Sequence, residues 1–203
     1  MIQSIDPAAC TGCGSCTKTC PLDVFRLETA QEQISPCMAA CPAGVDIRGN
    51  HYLIQQGNLD EAARNYLAVQ PFPAITGRVC FHPCESACAR ARVDSAVNIN
   101  AVEHVLGDWA AQMPLEKPVR RHISKVAVVG SGPAGLSCAW FLALMGYPVT
   151  VFEARPFPGG MLRYGIPAYR LPDDVVATQV RRLEEIGVRF CCNTRVGKGA
   201  DVS

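Results

Sequence analysis

Apolar positions along the chain change period twice. Ile99, Val102, Leu106, Trp109 and Met113 recur every three or four residues, which predicts a helix burying that face. Upstream, Asn58-Leu-Asp-Glu61 reads as an N-cap with an acid at the third helical position, opening a helix to Val69 that Pro71 and Pro73 end. Further on, Val126–Val129 reads as a short buried strand, followed by a Gly-rich turn and an apolar helix to Met145. A second strand follows at Val149–Phe152, then a helix over Asp173–Ile186 and a third strand at Val188–Cys192. Strands alternating with helices imply parallel βαβ units. Between the two regimes, residues 113–124 are rich in Pro and charge and read as a linker.

Composition narrows the class. The chain has 203 residues, 49% of them hydrophobic and 18% charged, with net charge +1. That suits a folded globular protein of one or two domains, with no nucleic-acid or acidic-membrane partner. The longest apolar run, Leu136–Met145, is too short to span a bilayer, and the N-terminus shows no secretion signal. The expected location is therefore cytoplasmic. Twelve cysteines in such a chain point to metal ligation more than to disulfides.

Four of them stand as Cys10-Thr-Gly-Cys13-Gly-Ser-Cys16-Thr-Lys-Thr-Cys20-Pro21, the bacterial-ferredoxin spacing. Short loops with Gly12 and Gly14 let several thiolates cap the irons of a [4Fe–4S] cubane. No second full run exists, so the fourth ligand of this cluster is open. Val24–Leu27 reads as a short strand after the loop. Five more cysteines follow: Cys37 and Cys41, then Cys80, Cys84 and Cys88. Four-residue spacing turns such thiolates to one side of a turn. His51, His82, His104 and His122 have no ligand spacing and read as surface or capping residues. Cys138, Cys191 and Cys192 read as small buried residues, and Trp109 as core.

Gly130-Ser131-Gly132-Pro133-Ala134-Gly135 sits between strand and helix, and Glu153 ends the second strand. This is the dinucleotide fingerprint in its required context. Gly130 makes the turn, Gly132 admits the pyrophosphate, Gly135 permits close helix–strand packing, and an acid at Glu153 suits a ribose hydroxyl. The fingerprint does not separate FAD from NAD(P).

Cys41-Pro-Ala-Gly-Val-Asp46, Pro71-Phe-Pro-Ala, Gly77-Arg-Val-Cys80, Val97-Asn-Ile-Asn100 and the Gly159–Pro172 stretch resemble the N-terminal part of one family. Its members include the NADPH-dependent glutamate synthase small subunit and dihydropyrimidine dehydrogenase, which are FAD and [4Fe–4S] oxidoreductases. The resemblance covers residues 36–203 and implies the following. One cluster takes Cys41, Cys80 and Cys84, with a fourth ligand at Glu103, where dihydropyrimidine dehydrogenase has a glutamine. Glu103 as a plain helix-surface residue is the alternative. A second cluster takes Cys37 and Cys88. The family's two further cysteines before Cys37 are missing, and the ferredoxin run stands in for them. Six thiolates then remain, enough for one four-cysteine cluster with two over, or for two three-cysteine clusters with outside ligands. Two or three clusters are expected. Gly159, Gly160, Met161, Arg170 and Val196 join the fingerprint in lining FAD, while NAD(P)H enters in complete members.

The expected architecture is α+β and multi-domain: a ferredoxin-type segment at 1–35, a helical iron–sulfur domain at 36–112, and an incomplete Rossmann-like FAD domain at 125–203. The expected function is electron relay between NAD(P)H-reduced FAD and an acceptor through [4Fe–4S] clusters, by a fragment or split subunit whose partner is a redox subunit or a missing C-terminal half. The alternative is a non-catalytic iron–sulfur relay with a vestigial nucleotide fold.

Overall fold

The computed structural model describes residues 34–197. The ferredoxin run Cys10–Cys20 and the strand expected at Val24–Leu27 lie outside them.

The first unit is helical: α1 (Pro36–Ala39), α2 (Ile47–Gln55), α3 (Leu59–Val69), α4 (Pro73–Val79), α5 (Pro83–Ser86), a 3-10 turn at Ala89–Arg92, and α6 (Ile99–Gln112). The local causes are visible in the sequence. Asp46 caps α2, its carboxylate accepting from Gly49 N at 2.9 Å. Asn98 caps α6 through Ala101 N at 3.3 Å. Asn58 occupies the N-cap of α3, but its side chain accepts no such bond. Pro73, expected only to break a helix, also opens α4, because a first-turn residue needs no N–H donor.

The buried face of α6 differs from the one expected. Ile99, Leu106, Gly107 and Ala110 are buried, whereas Trp109 is 45% exposed and donates its indole N–H to Asp60 Oδ1 at 2.8 Å. The cause is a close crossing with α4. A Cβ on Gly107 would lie 2.4 Å from Ala74 N and Pro73 C, and one on Gly77 would lie 2.5 Å from His104 Cα. Only the smallest residue fits at either point, so the helix turns its bulky Trp109 outward.

Next comes a three-stranded parallel sheet, β1 (Val126–Val129), β2 (Val149–Phe152) and β3 (Arg189–Cys191), in spatial order β1-β2-β3. Val126 pairs with Val149, and Thr150 with Arg189. Helices α7 (Pro133–Leu144) and α9 (Asp173–Glu185) make the two crossovers, and a short α8 (Met161–Tyr164) lies between them. Val128, Val149 and Val151 bury one sheet face against Leu136, Trp140 and Leu183. Ala127 and Val129 on the other face are exposed, so β1 is half-buried rather than fully buried. Its helices cover a single face.

Apolar and polar contacts join sheet and helices. Phe72 and Ile75 enter the sheet's core, Phe72 meeting Trp140 edge-on at 6.4 Å. Arg182, buried on α9, donates to Ala111 O at 3.0 Å and Met113 O at 2.7 Å. These carbonyls end α6 and have no partner within the helix, which makes a buried arginine tolerable there. Cys138 is exposed, and Cys191 and Cys192 are half-buried, so none of the three is the small core residue expected. Among the described residues no helix is long and apolar enough to cross a membrane.

Candidate cluster and nucleotide sites

The α4–α6 crossing builds the first site. A cavity of about 110 Å³ is lined by Cys41 (after α1), Cys80 (after α4), Cys84 (on α5) and Glu103 (on α6), together with Tyr66, Gln70 and Thr76. Sequence separations of up to about sixty residues collapse here because α4 and α6 touch backbone to backbone.

Glu103 is held in place. Thr76 Oγ1 donates to Glu103 Oε1 at 2.5 Å, and Gln70 Nε2 donates to the same oxygen at 2.9 Å. Gln70 Oε1 in turn accepts from Phe72 N at 2.8 Å. Both described bonds to the carboxylate use Oε1, which leaves Oε2 uncommitted among the described residues. Burial pushes the Glu103 carboxyl above its usual range, and the bonds from Thr76 and Gln70 partly offset that. Burial also raises Tyr66, with further contributions from Glu103 and Cys41. The Cys84 thiol is pushed up to about 11, mainly by burial, against a lowering bond from the Glu85 backbone. These neighbours make bare negative charge costly. A cationic cluster core would stabilise it, because a coordinating thiol is deprotonated outright.

Cys80 has a donor of its own. His82 N donates to Cys80 Sγ at 3.2 Å, with His82 in the left-handed region at φ 42. His82 Nδ1 lies 3.1 Å from Cys80 O, and its Nε2 lies 3.7 Å from Glu85. His82 thus shapes the cysteine loop without being a ligand. No three His, Cys, Asp or Glu among the described residues converge on a single-ion point. The donors instead stand around the walls of a space, which fits a bridged multi-iron group with soft thiolates and one hard oxygen.

Cys37 and Cys88 share a second, larger cavity of about 850 Å³ with His51, Asp46, Tyr52 and Ile99. Ser35 Oγ lies 3.4 Å from Cys37 Sγ. Here the expectation that all four histidines are surface or capping residues fails. His104 does reach Asp108 at 3.5 Å, and His122 stacks on Tyr147. His51 is half-buried, burial lowers its pKa, and its Nε2 is buried with no partner. The missed signal was its helical position, one turn after the buried Ile47.

The nucleotide loop is also built from close backbone contacts. Gly130 has φ 91. A Cβ on Gly135 would lie 2.0 Å from Gly130 O, and one on Gly160 would lie 2.7 Å from Gly132 Cα. Gly159 N donates to Ser131 O at 3.1 Å and to Ser131 Oγ at 3.0 Å. The Gly159–Gly160 turn therefore rests directly on the fingerprint loop, beside Pro133 and Ala134 in the first turn of α7. Beyond Gly130 and Gly132 there is open space for a ligand's phosphates.

Glu153, only 7% exposed, accepts from Ser131 N and Arg155 N, each at 2.9 Å, and from Ser131 Oγ. Burial alone would raise its pKa. The Ser131 and backbone donors outweigh that and hold it below the usual carboxylate range. In this structure its carboxylate ties the loop to β2. Met161, Arg170 and Val196 are exposed. Arg170 makes no side-chain hydrogen bond among the described residues.

Cysteine-lined cavities in a helical unit, joined to a Rossmann-like βαβ segment, define an iron–sulfur and dinucleotide-binding chain of the oxidoreductase class. The comparisons agree. Residues 29–115 match the family described as dihydropyrimidine dehydrogenase domain II, 4Fe-4S cluster. Residues 128–177 match the NAD(P)-binding Rossmann-like domain, and residues 1–22 a 4Fe-4S binding domain. The chain is 40% identical over 184 residues to the NADPH-Fe(3+) oxidoreductase subunit beta of Geobacter sulfurreducens, covering 88% of this chain and 27% of that protein. It is 37% identical over 168 residues to the NAD-dependent dihydropyrimidine dehydrogenase subunit PreT of Escherichia coli, covering 81% and 41%. The glutamate synthase [NADPH] small chain of Bacillus subtilis is 36% identical over 193 residues, covering 85% and 39%. This chain thus spans well under half the length of these curated relatives. It resembles the N-terminal part of the family that includes the glutamate synthase small subunit and the dihydropyrimidine dehydrogenase N-terminal region.

Proposed function

We propose that this chain relays electrons between an FAD, reduced by NAD(P)H, and an acceptor on a partner subunit, through at least two [4Fe–4S] clusters. The observation that carries the reading is the meeting of Cys41, Cys80, Cys84 and Glu103 around one cavity, from four separate segments. A [4Fe–4S] cluster supplies one-electron storage when bound. The chain's own residues do the rest. Cys41, Cys80, Cys84 and the free oxygen of Glu103 would hold the first cluster, with Thr76 and Gln70 fixing the carboxylate. The His82 N–H on Cys80 Sγ takes charge off that sulfur, which favours the reduced state. Cys37 and Cys88 would hold the second, and Cys10, Cys13, Cys16 and Cys20 serve the N-terminal ferredoxin-type segment at 1–35. The helical domain at 36–112 and the nucleotide domain from 125 onward divide the labour between clusters and flavin. Gly130–Gly135 and Gly159–Gly160 would receive the FAD pyrophosphate, Met161, Arg170 and Val196 would border the cofactor, and Glu153 holds the loop that does the binding.

The test is a metal and flavin count on the full chain after anaerobic reconstitution. It should hold on the order of eight irons or more, with matching sulfide, since each cubane carries four. FAD added to the reconstituted chain should bind. Cys80→Ser and Cys84→Ser should each lose one cubane's worth of iron. A count of four irons or fewer in the wild-type chain would sink the reading.

A further inference from the structure

Three facts meet at the second cavity. Cys37, on α1, and Cys88, at the start of the 3-10 turn, both line it. α1 packs against both α2 and α5, which brings the two thiols and the inner face of α2 to one place. That face presents His51, whose Nε2 is buried and has no hydrogen-bond partner among the described residues. A ring nitrogen removed from water and left unpaired is costly unless something in the site takes its lone pair or its proton.

Two other polar side chains on this wall are less suited. Asp46 is engaged as the α2 cap, accepting from Gly49 N at 2.9 Å. Arg48 has no lone pair to give. Imidazole is an attested partner of thiolate on iron–sulfur irons, where it replaces cysteine and raises the potential. We infer that His51 Nε2 is an iron ligand of the cluster held by Cys37 and Cys88, so that this cluster has mixed cysteine and histidine ligation. The inference rests on the second-cluster reading above. It also answers how a site with two thiolates on the described wall gains a further donor.

The experiment is pulsed EPR on the full chain, anaerobically reconstituted, reduced with dithionite and selectively labelled with 15N-histidine. A strongly coupled nitrogen that responds to the label is expected, and it should vanish in His51→Ala. That variant should also lose one cubane's worth of iron, about four per chain. His51→Cys should restore the iron and shift the midpoint potential downward, because thiolate brings a negative charge that imidazole lacks. The labelled wild-type spectrum needs no variant to fold. A wild-type spectrum without label-sensitive strong coupling overturns the inference, and so does a coupling that survives His51→Ala. Iron lost from Cys37→Ser and Cys88→Ser but kept in His51→Ala removes the histidine and leaves the cluster. Iron kept in all three removes both.

Discussion

Replacing Gly107 by Ala adds one methyl group where α6 crosses α4, and the structure sets its cost. The new Cβ would lie 2.4 Å from Ala74 N and Pro73 C and 2.6 Å from Ala74 Cα. Ordinary carbon contacts begin near 3.5 Å, so the helices must part by roughly 1 Å. The obstructing atoms are backbone, which cannot swing aside as a side-chain tip can. Overpacking of this kind costs about 1–3 kcal/mol. Alanine's better helix propensity returns about 0.5–1 kcal/mol, leaving a net loss of up to about 2.5 kcal/mol. For a chain of this size that is a fall of up to about 10 °C in unfolding temperature. A 1 Å separation also acts on the site. Thr76 rides on α4 and Glu103 on α6, so their 2.5 Å bond stretches past hydrogen-bond range. Thermal scans and iron counts on reconstituted wild type and Gly107→Ala therefore should fall together. As a control, Gly49→Ala meets only the movable Asp46 side chain, away from the α4–α6 crossing, and should cost the cap but leave the first cluster's iron in place. A Gly107→Ala protein with unchanged unfolding temperature and iron content would refute the argument that this crossing builds the cavity.

Two other substitutions probe single side chains. Glu103→Gln should retain the first cluster with a shifted midpoint potential, because an amide oxygen can still meet iron without the charge. Glu103→Ala should make that cluster labile, and unchanged potential and iron in both variants would make Glu103 a wall residue of the cavity and not a ligand. Glu153→Gln places an amide NH₂ against N–H donors from Ser131 or Arg155, at about 1–3 kcal/mol. The wild-type carboxylate has its pKa held low, so its stabilising bonds are present at neutral pH and lost as the pH falls through that lowered value. The gap in unfolding temperature between wild type and variant should narrow on acidification, and a gap that widens would contradict the sign.

The local rules were legible in the amino-acid order. Val126–Val129, the Gly130–Gly135 turn, the apolar helix and Glu153 specify a βαβ unit by period and by glycine placement, and the structure has it. So is the helix expected over Asp173–Ile186, which runs Asp173–Glu185. Each depends on interactions within a few residues, which a linear pattern contains. The pairing of Cys41 with Cys80, Cys84 and Glu103 was reachable from the chain only by resemblance, since nothing in spacing says which helices cross. Tertiary structure decided the rest. The Gly77 and Gly107 contacts turned α6 by part of a turn, putting Ala110 inside and Trp109 outside, a choice that hydrophobicity alone assigns the other way. The same crossing delivered Glu103 to Thr76 and Gln70. Arg182, a charged residue with every local reason to face water, is buried because the open carbonyls of another helix end lie within its reach. His51's place one turn after Ile47 marks it as inward-facing, but only the packing of α1 against α2 and α5 puts it on the wall that Cys37 and Cys88 line. Hydrogen bonds and helix crossings between distant segments depend on distances that the order of residues does not contain.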